Sequence, residues 1–176
     1  MLSDQIIHLI EHQSERLVNQ WIHLVQENIA TPSYHEFDDE DLAINIREVY
    51  RHFGQYLKAS HDQKQLANLF IRIGAQRRNQ KIPLNELVFA IMLARRNLWT
   101  FISEEIMSTS AIDYHKVNEF WHLVMDFFDK NIYYVILGYE RNRTEQKRKK
   151  DTASSFIHAV SLGIFPEIDR QSIQRD

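Results

Sequence analysis

Residue types that commonly do chemistry are thinly spread in this sequence. Nine histidines invite a metal or haem reading, and His8 and His12 stand four apart, a spacing that can chelate a metal from one helix. On a helical wheel, however, they fall with His23 opposite the apolar stripe of Ile6, Leu9 and Ile10, which directs them to water. No carboxylate or third ligand is spaced to complete a site. His115, His122, Asp126, Asp129 and Tyr133 form a second polar stripe, in which His122 and Asp126 have the one-turn spacing of an ion pair. A haem ligand would need a histidine facing inward, and none of these does so clearly.

Catalytic patterns are missing. No serine sits in a glycine elbow, and there is no glycine-rich phosphate loop, no HExxH and no paired Glu-xx-His of a di-iron bundle. With no cysteine in the chain, thiol catalysis, disulfides and thiolate metal sites are excluded. The expectation is a protein that is not an enzyme and carries no catalytic residues, metal site or cofactor.

The arginines offer more. In the stretch RRNQKIPLNEL, Arg77 to Leu87, the wheel puts Arg77 on an inner stripe with Phe70 and Ile73 and turns Arg78 outward. Arg95 sits likewise among Val88, Ile91 and Ile102. A guanidinium at a core position must be paired, reach out to water or face a polar cavity, because burying it alone is costly. One reading has both reaching the rim to bond a carbonyl or a carboxylate such as Glu86 or Glu105. The other is a polar notch between two helices that takes an anion or regulatory ligand, with Trp99, Trp121 and Phe128 on its apolar side and His122 near by.

The elements that would position these residues are helices. Only 4 Gly and 3 Pro occur in 176 residues, too few for the turns of a sheet protein, and 44% of residues are apolar. Helical periodicity predicts a first helix over about Asp4 to Asn28, a second over Asp39 to Ala59, and a third over His61 to Gln76. A fourth starts near Pro83, which suits a first helical turn. A fifth runs from Ala111 towards Lys150, apolar on most sides early and polar and basic late, so that its second half should overhang or fray. Ser60 with Gln63, and Ser110 with Asp113, have capping-box spacing. The predicted architecture is an all-α, up-down bundle of four to five helices with an extended C-terminal helix.

The charge is uneven. The formal net charge is −3, yet residues 141–150, RNRTEQKRKK, carry +5, leaving −8 on the rest. A mostly acidic molecule does not suit nucleic acid. No apolar run is long enough to cross a bilayer, and the N-terminus is no signal peptide. Two parts are expected: a bundle over 1–140 and a basic helix extension and tail over 141–176. In the latter, Arg141, Arg143, Lys147, Arg148, Lys149 and Lys150 form a solvated helix end or a docking surface for a partner.

The segments ERLVNQWIHLV, LFIRIGAQRRNQKIPLNELVFAIMLARRNLWTFI and FFDKNIYYVILGYE together resemble the N-terminal regulatory domain of RsbRD-type proteins, the RsbT co-antagonist relatives, also found in front of bacterial sensor histidine kinases. The resemblance covers about residues 5 to 140. It implies a cytoplasmic signalling module that senses a signal or binds a regulatory protein partner, with no chemistry of its own. Nothing after Tyr139 looks like an antagonist, PAS or kinase domain, so the expected output is lost or supplied in trans. A homodimer is expected as well, because the nearly all-round apolar fifth helix wants a partner. The competing expectation is a haem- or metal-binding, globin-like sensor.

Overall fold

The computed structural model describes residues 2–58, 62–109 and 114–161, with side chains for 4–58, 62–104, 115 and 117–151. All regular structure among them is helical: α1 Leu2–His12, α2 Ser14–Glu27, α3 Asp39–Leu57, α4 Gln63–Asn79, α5 Leu84–Thr109 and α6 Tyr114–Ser161, with a 3-10 turn at Pro32–Tyr34. The all-α bundle with a long last helix is therefore as predicted. No helix of the described residues is long and apolar enough to cross a membrane. The chain divides into two compact units, Met1–Arg141 and Asn142–Asp176.

The predicted first helix is two helices. Gln13 leaves helical geometry, with φ −117 and ψ 22, and no side chain between Ile10 and Leu17 is buried. Nothing holds that turn in line. The break also marks a change of neighbours, because α1 packs on α3 while α2 packs on both α3 and α5.

Charge and caps set the other starts as elementary chemistry dictates. Asp39, Glu40 and Asp41 fill the first turn of α3, where the helix dipole favours acids. Asp62 caps α4 by accepting from the Lys64 N–H at 2.8 Å, the bond that satisfies an orphan donor of the first turn. The Ser60 cap expected from spacing, like the one at Ser110 with Asp113, lies outside the described residues. Pro83 immediately precedes α5, and Leu87 N–H bonds its carbonyl at 3.0 Å.

Aromatic rings fill the centre of the first unit. Phe127 of α6 meets Phe53 of α3 edge-on at 5.1 Å and Phe70 of α4 at 6.1 Å. Such pairs add roughly 0.5–1.5 kcal/mol each beyond their buried area. Polar ties cross the same core: Trp21 Nε1 donates to the Ala90 carbonyl at 2.9 Å, and Asn97 Nδ2 to the Leu17 carbonyl at 2.9 Å and the Tyr50 hydroxyl at 3.0 Å. Each is buried and satisfied, which keeps α2, α3 and α5 in one register.

The crossing of α4 and α6 depends on two of the four glycines. A Cβ on Gly74 would overlap the Val135 carbonyl, and one on Gly138 would overlap the Ile71 carbonyl. Backbone meets backbone there, an approach only glycine permits.

In the second unit, the basic run does not fray. It is helical through Ser161, and residues 143–151 are all exposed.

Candidate functional site

Arg77 is the least expected side chain of the core. It lies near the end of α4 and is 2% exposed, an arginine in a place usually taken by leucine or isoleucine. Its guanidinium carbon sits 5.5 Å from the ring centre of Tyr34 and 5.4 Å from that of Phe37. Its Nη1 donates to Gln80 Oε1 at 2.9 Å. Among the described residues these are its polar contacts, and no carboxylate lies within ion-pair distance. The two rings supply about 2 kcal/mol each when desolvated, against several kcal/mol to strip one ion of water. Burial accordingly pulls the guanidinium below its ordinary pKa, with Tyr34 and Asp41 opposing; it remains charged.

Local geometry explains why α4 ends around this group. Ile82 N–H bonds the Arg77 carbonyl and Lys81 N–H the Arg78 carbonyl, each at 3.0 Å, with Lys81 at φ 61. This is a Schellman closure with lysine in the left-handed position that glycine usually fills. It buries Ile82, 1% exposed, and its carbonyl accepts from the Tyr139 hydroxyl at 2.8 Å. Arg78 is not directed purely to water: it stacks 5.2 Å from the Tyr139 ring, and its Nη1 reaches the hydroxyl at 3.3 Å.

Glu86, one of the expected partners, is committed elsewhere. It is 6% exposed and accepts from Ser33 N–H at 2.8 Å and Ser33 Oγ at 3.1 Å. That pairing clamps the 3-10 turn to the first turn of α5, and so fixes Tyr34 over Arg77. Burial pushes the Tyr34 hydroxyl up to about 12, with Arg77 lowering it and Glu86 raising it by less.

Arg77 also lines a cavity of about 40 Å³ whose other walls are mostly apolar, among them Trp21, Ile46, Phe70, Ile73, Leu87 and Phe128, with Asn45 and Tyr34 as further polar residues. On the far side, Phe37 and Gln80 line an open surface groove of about 480 Å³. The guanidinium touches both of these groove residues.

The sequence-predicted residues divide. Arg77 and Phe128 share the cavity. Arg95 does not line it; it bonds Asp129 of α6 at 2.9 Å, a carboxylate partner from α6, while Glu86 is engaged with Ser33 and the Glu105 side chain lies outside the described residues. Trp99 and Trp121 are half-buried and pack edge-on at 4.6 Å, with Trp99 stacked on Phe120 at 6.1 Å. His122 is exposed, and its expected partner Asp126 instead binds Lys130 and Tyr56 at 2.5 Å each. Those two bonds, Lys130 first, hold Asp126 below the usual carboxylate range. Arg141, Arg143, Lys147, Arg148, Lys149 and Lys150 are all exposed. His8, His12 and His23 face water, His23 pairing with Glu27 at 3.1 Å. Among the described residues, no three His, Asp or Glu side chains group so as to hold a metal ion.

Sequence reasoning missed Tyr34, Phe37 and Gln80. The signal was there in part: TPSYHEF is a short polar connector that nevertheless carries two aromatics three residues apart, a spacing that invites a shared target.

Among the described residues, fold and site together define an all-α bundle domain assembled around a buried guanidinium without a carboxylate partner. Residues 15–154 match the RsbT co-antagonist protein RsbRD N-terminal domain family, and the chain belongs to that family, a regulatory one of the signalling type. The match begins with α2 and extends into the basic part of α6. No curated protein and no solved structure matches the chain.

Proposed function

We propose that this protein is a signal-receiving regulatory module that acts by binding a protein partner and performs no catalysis of its own. The observation that supports this most is the family match, which runs across the bundle and into the exposed basic stretch of α6. Arg141, Arg143, Lys147, Arg148, Lys149 and Lys150 are the docking residues, and a partner with an acidic surface is the complementary one. The module works in the cytoplasm and self-associates as a homodimer.

The experiment is a pull-down from the native host with the full chain and with a K147E/K149E/K150E variant, read by mass spectrometry. A regulatory protein recovered by the first and lost by the second supports the reading. Equal recovery would place docking elsewhere. Light scattering on the eluted chain tests self-association; a strict monomer at high micromolar concentration removes the homodimer.

A further inference from the structure

The geometry points to a binding site for a short monocarboxylate in the cavity that Arg77 lines. This rests on reading the domain as a signal receiver and names the chemistry of the signal. Three observations carry it. The first is a charge with no anionic partner among the described residues: Arg77 is 2% exposed and there donates one hydrogen bond, to the neutral Gln80 amide. Most of its donor fork is therefore unspent, and a carboxylate matches that fork in both shape and sign.

The second is the company it keeps. Apart from Arg77, Asn45 and Tyr34, the cavity wall is built from apolar residues and Trp21, with Ile46, Ile73, Leu87 and Phe128 among its members. A small organic acid presents this same division, one charged end and one apolar end. A hydrated inorganic ion would leave the apolar wall unmatched.

The third is size and access. A void holds a water for each 10–15 Å³ or so of this measure, so about 40 Å³ accommodates roughly three or four heavy atoms. Formate and acetate fit; six-carbon acids do not. The route inward is one side-chain layer thick, because Phe37 and Gln80 contact the guanidinium and also line the outer groove.

The test is a titration of the purified full-length chain, followed by thermal unfolding at constant ionic strength. Formate or acetate is expected to raise Tm saturably, by about 3–6 °C at ten times Kd. Chloride and hexanoate are expected to give no saturable rise. In Arg77→Met the rise should disappear while the fold survives, since replacing a buried ion by an apolar side chain of similar length is often neutral or stabilising. Should that variant fail to fold, nuclear Overhauser contacts from the methyl of ¹³C-acetate to the Ile46 and Ile73 methyls of the native chain decide the matter: their presence supports the site and their absence overturns it. An unchanged rise in Arg77→Met, an equal response to chloride or hexanoate, or no saturable response at all would also overturn it. Because no partner is present, a failed titration leaves the docking role of the basic helix standing. A failed pull-down, conversely, leaves the titration interpretable.

Discussion

Lys81 and Asn131 each occupy a position that another residue would fill more cheaply. At φ 61, Lys81 takes the left-handed conformation that costs a side chain with Cβ about 1–2 kcal/mol. Lys81→Gly is expected to gain roughly 1 kcal/mol, a Tm rise of about 2–4 °C by circular dichroism. An unchanged or lower Tm would mean the lysine side chain makes up the cost. Asn131 on α6 is fully buried, and neither its amide nitrogen nor its oxygen has a partner among the described residues. Such a group costs about 1–3 kcal/mol of lost hydration, so Asn131→Leu, of similar volume, should raise Tm. A fall would show that the amide is satisfied in solution. Periodicity places an inward arginine but cannot tell what it meets. Arg77 is legible because Phe70 and Ile73 share its stripe, whereas its covering rings come from a connector that has no period to read.

Among the elements, the junction of α4 with α6 is the least forgiving. Gly138→Ala must push the Ile71 backbone aside, and over-packing of this kind costs about 1–3 kcal/mol or more. We expect a Tm loss of at least several degrees, and a larger one for Gly74→Ala combined with Gly138→Ala. A neutral Gly138→Ala would show that the two helices separate freely. The type and order of the helices were readable because apolar residues recur at helical spacing and breakers are few. The break at Gln13 was not, since it follows from a tertiary event, the switch of packing partner between α1 and α2. Nor was the α4–α6 contact, because a glycine in a helical run reads as a weak spot until its neighbour across the interface is known.

For the whole molecule, alkali is the informative stress. Burial pushes Tyr34 up to about 12 and Tyr50 further still, where the bond from Asn97 opposes it; burial followed by Asp126 holds Tyr56 at about 12. In the unfolded chain a phenol titrates near about 10. The folded state thus favours the neutral phenols, a contribution fully present below pH 10 or so and lost as pH rises through about 12. Absorbance at 295 nm should hold back part of its phenolate signal until unfolding, and Tm should fall steeply above about pH 10. A complete phenolate signal near pH 10 with the helices intact would show that these hydroxyls reach water. The charge balance, by contrast, was readable from the start: residues 141–150 carry net +5, and the structure shows the basic side chains exposed on one helix.

The three tryptophans have a practical consequence in optics. Trp21 is 5% exposed, has its indole N–H fixed on the Ala90 carbonyl and lines the cavity, so its emission should be blue and should change when that space fills. Trp99 and Trp121 are 4.6 Å apart and inclined at 67°, close enough for their transitions to couple as an exciton pair in circular dichroism. The native chain thus carries two intrinsic probes at different wavelengths, one for the interior void and one for the spacing of α5 and α6. Neither requires a label.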